Sequence, residues 1–511
     1  MKTWMHRTRR CALAAGLALL AGGCAVGPNF HRPATDAGDK YTRDPLPERT
    51  ESVDAPGGAA QHLVAGQDIP AQWWTAFQSP ALDSLIKEAF HANPNVQAAQ
   101  AALRQANDLV WAQRGFFFPT IQASFQPTRQ RNPIGTLAPN LTSGLPVYNL
   151  YTAQLSVGYT LDVFGGNRRM VESLIAQEDM QRFQLEATYL TLSTNVVSTA
   201  VQEAALRAQI AATERMIAIE TEQLQIMQKE VDLGAIAVAD ATAQEVVLAQ
   251  TAAQLPPLRK QLAVQRDALT ALLGRLPAQE PAQMFELDNF TLPTELPASL
   301  PSRVVEQRPD VRMAEEQMHA ASAQVGVAIA DMLPQISLQA GLGGTSTAIG
   351  QMFSAGNKFW SVGASLSQTL FAGGTLYRRE QAAVEALDAA GAQYRSTVIT
   401  AFQNVADTLH ALVFDAQALK ANLEAERAAG RSLEYARKAL ELGSVSYLAL
   451  LNAEQAYQQA VVNRVQAQAN RYADTAALFQ ALGGGWWNRA AQDEPRPEAK
   501  KEAKLDESAA R

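Results

Sequence analysis

Side chains able to support nucleophilic, redox or metal chemistry are few in this chain, and their spacing says more than their number. Six histidines are scattered through 511 residues. His319 and His410 fall in helical stretches without a ligand-spaced partner, and no HExxH or CxxC pattern occurs. Gly341-Leu342-Gly343-Gly344 is similar to part of a phosphate loop but lacks the basic residue and the following helix, so it reads as a turn between strands. Asp162 reads either as a lining residue of a wet passage or as a solvated carboxylate. Eleven dispersed methionines give metal handling no particular support. These patterns argue against an enzyme, and no cofactor or metal site is expected. The one residue whose setting points to a defined reaction is Cys24.

Cys24 ends an N-terminal targeting segment. Lys2, Arg7, Arg9 and Arg10 form a basic region, and Cys11–Gly22 is an apolar run about right for a secretory signal and too short to span a bilayer. Ala21-Gly22-Gly23-Cys24 resembles a bacterial lipoprotein signal, with cleavage after residue 23 and acylation of the Cys24 thiol, as with palmitate; the departure is Ala21, where leucine is usual. An ordinary signal peptide with an incidental cysteine is the alternative. Acyl chains would tether the mature chain to a membrane. Loss of four positive charges from a net −7 leaves about −11, which argues against nucleic-acid binding. The mature chain keeps one cysteine, so an intrachain disulfide is impossible. No run after the signal is long and apolar enough for a transmembrane helix.

The elements that must carry these residues are dominated by one stretch. From Asn167 to Leu233 there is no glycine or proline, which predicts one continuous helix of about 100 Å. Leu185, Tyr189, Leu192 and Val196, then Ile210, Ile217, Leu224 and Val231, repeat with coiled-coil spacing. Such a helix must lie against other long helices. Hydrophobic content of 47% with 7% aromatic predicts an Ala- and Leu-rich helical protein rather than a dense aromatic core.

The chain is also written twice. Asn93-Pro94-Asn95-Val96 matches Arg308-Pro309-Asp310-Val311, and Phe118-Pro119-Thr120-Ile121 matches Leu333-Pro334-Gln335-Ile336 at the same offset. Phe164-Gly165-Gly166 answers Ala372-Gly373-Gly374, and Gly234, Glu245 and Gly274 answer Gly443, Glu454 and Gly483. The predicted organisation is a signal (1–23), an aperiodic N-terminal linker (24–70), a first repeat (71–290), a second repeat (291–490) and a disordered tail (491–511). In the first repeat a short helix opening at Trp73, Trp74 and Phe77 stops at Pro94, and a second helix runs from Asn95 to Arg114. Long helices at 167–233 and 375–442 end at Gly234 and Gly443 and return through helices of some 36 residues, Val238–Leu273 and Tyr447–Leu482.

Between the helices the period changes to two, predicting strands at 119–129, 150–164, 334–342 and 359–371. Leu155, Val157, Tyr159, Leu161 and Val163 alternate with Gln154, Ser156, Gly158, Thr160 and Asp162. Such strands suit a half-buried soluble sandwich. Two hairpins with no other apolar layer to cover them suit a transmembrane β-barrel better, with Tyr148, Tyr151, Phe359 and Trp360 as an aromatic girdle. Four strands cannot close a barrel, and open edges are not tolerated in lipid, so several chains must share one.

Together these landmarks resemble the outer-membrane efflux lipoproteins of the TolC/NodT type that serve RND (resistance–nodulation–division) pumps. The resembling pieces are Cys24-Ala25-Val26-Gly27-Pro28-Asn29-Phe30; Leu233-Gly234-Ala235-Ile236 continuing to Leu255-Pro256-Pro257-Leu258; Leu273-Gly274-Arg275; and Ala481-Leu482-Gly483-Gly484-Gly485-Trp486. The resemblance implies a mainly α protomer with long coiled-coil helices and four β-strands. Three such chains form a homotrimer with a 12-stranded barrel and a 12-helix periplasmic tunnel. It implies a passive exit duct for small molecules such as drugs, located in the bacterial outer membrane, served by a periplasmic adaptor and an inner-membrane RND pump. It places a periplasmic constriction at Leu448 and Asn452, the latter replacing the usual aspartate, and adaptor contacts around the tip glycines Gly234 and Gly443. The alternatives are a type I secretion duct and a structural coiled-coil envelope lipoprotein.

Overall fold

The computed structural model describes residues 25–34, 40–131, 147–298 and 301–489. Cys24, the signal, most of the first inter-strand loop and the tail lie outside them. Element order is β1 (His62–Ala65), α1 (Pro80–Ala92), α2 (Pro94–Arg114), β2 (Thr120–Arg131), β3 (Val147–Leu161), α3 (Gly166–Asp232), α4 (Val238–Leu272), β4 (Glu295–Ala298), α5 (Pro301–Gln307), α6 (Pro309–Ala330), β5 (Gln335–Ser346), β6 (Lys358–Ser367), α7 (Thr375–Glu441) and α8 (Tyr447–Ala481). The duplication is visible in the lengths: α3 and α7 both have 67 residues, and α4 and α8 both have 35. Proline opens α1, α2, α5 and α6, the position where its missing N–H costs least. Pro94 therefore starts a helix as well as ending the one before it. Pro256 and Pro257 lie inside α4. Among the described residues no helix is long and apolar enough to cross a membrane.

The chain divides into two compact units. Among the described residues one comprises those within 25–33, 104–180 and 314–394; the other comprises those within 34–103, 181–313 and 395–489. The first holds a four-stranded antiparallel sheet in the order β2-β3-β5-β6, so the two hairpins join through β3 and β5. β6 ends at Ser367, opposite Gln335, although the alternation in sequence runs to Leu370. Hydrogen bonding to β5 stops there because β5 itself begins at Gln335. Gly341-Leu342-Gly343-Gly344 lies within β5 and is not a turn. A side chain at Gly343 would collide with the Phe359 ring and the Ala153 carbonyl, so the glycines admit a close cross-strand neighbour.

The second unit does have an aromatic core, contrary to the expectation from composition. Trp73 stacks on Phe479 at 5.3 Å, and Phe77, Phe285, Phe290 and Tyr472 continue the cluster. A low aromatic percentage says nothing about where the rings gather. The stretch read as an aperiodic linker is docked in both units. In the second unit β1 pairs in parallel with β4, His62 opposite Glu295. Buried Arg471 of α8 donates to the carbonyls of Gly57 (2.7 Å) and Ala59 (2.9 Å). Composition missed this because the contacts are made to backbone groups, whose partners leave no period.

The α3 seam is buried as expected at Leu185, Tyr189, Leu192, Val196 and Ile210. Beyond Ile210 the buried line shifts to Thr213, Glu220 and Met227, and Ile217, Leu224 and Val231 are half-buried. Polar residues on the seam are invisible to a search for apolar sevens.

Candidate channel wall and helix-tip site

The sheet is built in rows. Register places Ile121, Val157, Ala340 and Val362 side by side, and Ala123, Leu155, Leu342 and Trp360 in the next row. Leu161, Ile336 and Leu366 continue the same face. Because side chains alternate, the opposite face carries Gln122, Ser156, Gly341 and Ser361, then Ser124, Gln154, Gly343 and Phe359. The apolar face is bare: Ile121 is 68% exposed, Val362 76% and Trp360 77%. Strands of 10–15 residues meet the roughly 9–11 that a tilted strand needs to cross hydrocarbon. Within one chain β2 and β6 are edges, and Pro127 sits on the β2 edge, where a missing N–H is tolerated.

The same register corrects the aromatic girdle. Tyr151 and Trp360 are on the apolar face; Tyr148 and Phe359, an odd number of residues away, are on the polar face. Tyr148 meets the Gln130 amide there. Four aromatics near strand ends thus make two different pairs. Asp162 does not stand free in solvent, its side chain being 16% exposed. Its carboxylate accepts the backbone N–H groups of Asn167 (2.9 Å) and Arg168 (3.0 Å) and pairs with the Arg168 guanidinium, capping the first turn of α3.

Below the sheet, the residues that follow Cys24 are clasped. Val26 donates its N–H to the Phe164 carbonyl at 3.1 Å. Buried Arg169 donates to the carbonyls of Val26 (3.0 Å) and Gly27 (3.3 Å) and to Asn29 Oδ1 (2.7 Å), and pairs with Glu172 at 2.7 Å. Phe30 stacks on His319 with centroids 4.5 Å apart, and Arg32 grips Glu315 with two bonds of 2.9 Å. Gly27 has φ +90°, and a Cβ there would meet the Gly326 backbone at 2.5 Å, so only glycine fits. Arg169 gave no signal in the sequence beyond a basic residue at a helix start.

At the other end of the long helices the two turns are alike. The Gly234 N–H bonds to the Val231 carbonyl and Ala235 to Glu230; Gly443 bonds to Leu440 and Ser444 to Ala439, all at 2.8–2.9 Å. With φ +71° and +66°, both glycines sit in left-handed Schellman caps that satisfy the last helix carbonyls. Leu448 and Asn452, one turn apart at the start of α8, are both exposed, Leu448 at 64%. Behind them Leu450 and Ala453 pack with Leu433. Tyr447, which sequence reasoning passed over, donates its hydroxyl to Glu230 at 2.6 Å, tying the start of α8 to the end of α3. Burial and the Glu230 carboxylate push the phenol up to about 12. Among the described residues no cluster of three or more metal-ligating groups occurs.

A bare apolar sheet face, a polar reverse face and paired helical hairpins define a channel-forming envelope protein. The family model for outer membrane efflux proteins matches residues 85–275 and 300–484, and the chain belongs to that family. It is 26% identical to the probable efflux pump outer membrane protein TtgC of Pseudomonas putida over 476 residues, 93% of this chain and 95% of that one. It is 28% identical to the solvent efflux pump outer membrane protein SrpC of the same species, covering 92% and 97%. The solved outer-membrane channel OprN superposes with a TM-score of 0.80 at 26% identity, covering 91% of this chain and all of that one. The protomer is therefore TolC-like, and its place is the outer membrane.

Proposed function

We propose that the protein is the outer-membrane exit duct of a tripartite RND-type efflux system, a passive path for small molecules whose export is powered elsewhere. The observation that carries this is the four-stranded sheet with an uncovered apolar face and two unpaired edges. Backbone groups at a bare edge cost several kcal/mol each in hydrocarbon, so the edges must be joined. Three chains supply twelve strands, within the range of closed outer-membrane barrels. The names of TtgC and SrpC, an efflux pump and a solvent efflux pump component, favour small apolar or amphipathic solutes over folded protein as cargo. A periplasmic adaptor and an inner-membrane pump complete the system, with Gly234 and Gly443 at the tips the adaptor meets. Leu448 and Asn452 form the constriction, a ring of leucines above a ring of amides. Cys24 carries the lipid that holds the N-terminus at the membrane.

Detergent-extracted, full-length protein tests the reading. The expected result is a heat-modifiable trimer that conducts ions in planar bilayers, together with solvent and drug hypersensitivity on gene deletion. A water-soluble monomer that needs no detergent refutes it.

A further inference from the structure

A cavity of about 540 Å³ lies at the foot of the sheet, wholly within the first unit. That volume is in the range that holds a drug-sized molecule. Six of the nine strand residues bordering it have the register of the polar face. Thr120, Gly158 and Gln339 share one cross-strand row, and Thr160 and Ser337 the row beyond it. The cavity therefore belongs to the side of the sheet that water wets, and its occupant is a solute rather than a lipid chain.

Charge decides what fits. No lysine, arginine or histidine borders the cavity, whereas two carboxylates do, Asp162 and Asp331. Asp162 is engaged by Arg168 and by the first turn of α3. Asp331, just beyond α6, is exposed and pairs with no cation among the described residues. The basic residues adjoining the lining in sequence are all held elsewhere. Arg168 is on Asp162, Arg169 is in the N-terminal clasp, and Arg114 lies over the Trp111 ring at 4.8 Å. Helices α2 and α6 reach the cavity with their last turns, through Gln113 and Ala330, and that end of a helix favours positive charge. Phe116 and Phe118, 62% and 69% exposed, add aromatic faces, and Met170 adds a thioether. An aromatic face attracts a cation within about 6 Å of its centre, and a thioether packs well against a ring.

We propose that this cavity is a binding site for aromatic organic cations, with the charged centre toward Asp331 and the rings against Phe116, Phe118 and Met170. An anion of the same shape meets an unpaired carboxylate and no compensating base, so it is turned away. Affinity stays modest because the Asp331 carboxylate is exposed, and an ion pair open to solvent is screened. A cation thus pauses at the foot of the sheet without lodging there. The role of the site, though not the binding itself, rests on the exit-duct reading: it makes the wall discriminate by charge as well as by size.

Full-length protein in lipid nanodiscs is dialysed to equilibrium against tetraphenylphosphonium or tetraphenylborate, ions alike in shape and opposite in charge, with uptake by empty nanodiscs subtracted. Saturable binding of the phosphonium and none of the borate is expected. Asp331→Asn and Phe118→Ala should each weaken phosphonium binding about three- to fivefold, the size of one exposed ion pair or one cation–ring contact. Glu441→Gln, which removes an exposed acid at the helix tip, should leave it unchanged. Heat-modifiability confirms that each variant assembles; Phe116→Ala replaces one that does not. Equal binding of the two ions, or phosphonium binding that Asp331→Asn leaves intact, overturns the site. The same protein is recorded in planar bilayers, which separates the two readings. Conductance without phosphonium binding removes the site and leaves the duct, and binding without conductance removes the duct and leaves the site.

Discussion

The lipid-facing assignment of the sheet is tested most directly by putting charge on each face at the same depth. Val362 and Ser361 are neighbours in the middle of β6 and point to opposite sides. Val362 shares its row with Ala340, Val157 and Ile121, all apolar; Ser361 shares its row with Gly341, Ser156 and Gln122. Arginine near the middle of a lipid-facing strand costs about 2–4 kcal/mol, and on a water-facing wall close to nothing. In the proposed three-chain barrel the penalty of Val362→Arg becomes roughly 6–12 kcal/mol per trimer, against a small effect for Ser361→Arg. The assay is reversible urea unfolding in lipid vesicles, with the heat-modifiable trimer on gels as a second measure. Equal losses for the two variants, or a larger loss for Ser361→Arg, would refute the face assignment and with it the barrel.

Leu448→Ala should raise closed-state leakage in single-channel recordings, and an unchanged closed state removes Leu448 from the constriction. Arg169→Met strands the Val26 and Gly27 carbonyls and should cost about 3–5 kcal/mol, the usual price of breaking a buried charged network; limited proteolysis near residue 30 reads the loosening. Gly443→Ala forces a Cβ into left-handed backbone with open space around it, so a loss of about 1 kcal/mol or slightly more is expected in thermal unfolding, without clash.

Sequence showed clearly what depends on period. The long helices, the return helices and the alternating strands fall within a few residues of their places because a helix without glycine or proline, and a strand with one greasy face, are written in neighbouring residues. The tip glycines were legible for the same reason, since a helix C-cap demands its own residue type. What could not be read was pairing at a distance. Nothing local says that Arg169 and Arg471 each hold a piece of the N-terminal stretch. Tyr148 and Phe359 were placed on the wrong face because counting aromatics near strand ends ignores the odd spacing that register enforces.

The clasp around Arg169 has a mechanical consequence. Val26 is bonded to Phe164 just after β3, and Val26 and Gly27 are held by Arg169 at the start of α3, so the N-terminal stretch joins this unit at one set point. Were Cys24 acylated as proposed, the lipid would act as a peg rather than a leash, its depth in the leaflet tied to the depth of the strands. A chain that slid inward or outward would have to drag its own fatty acid with it.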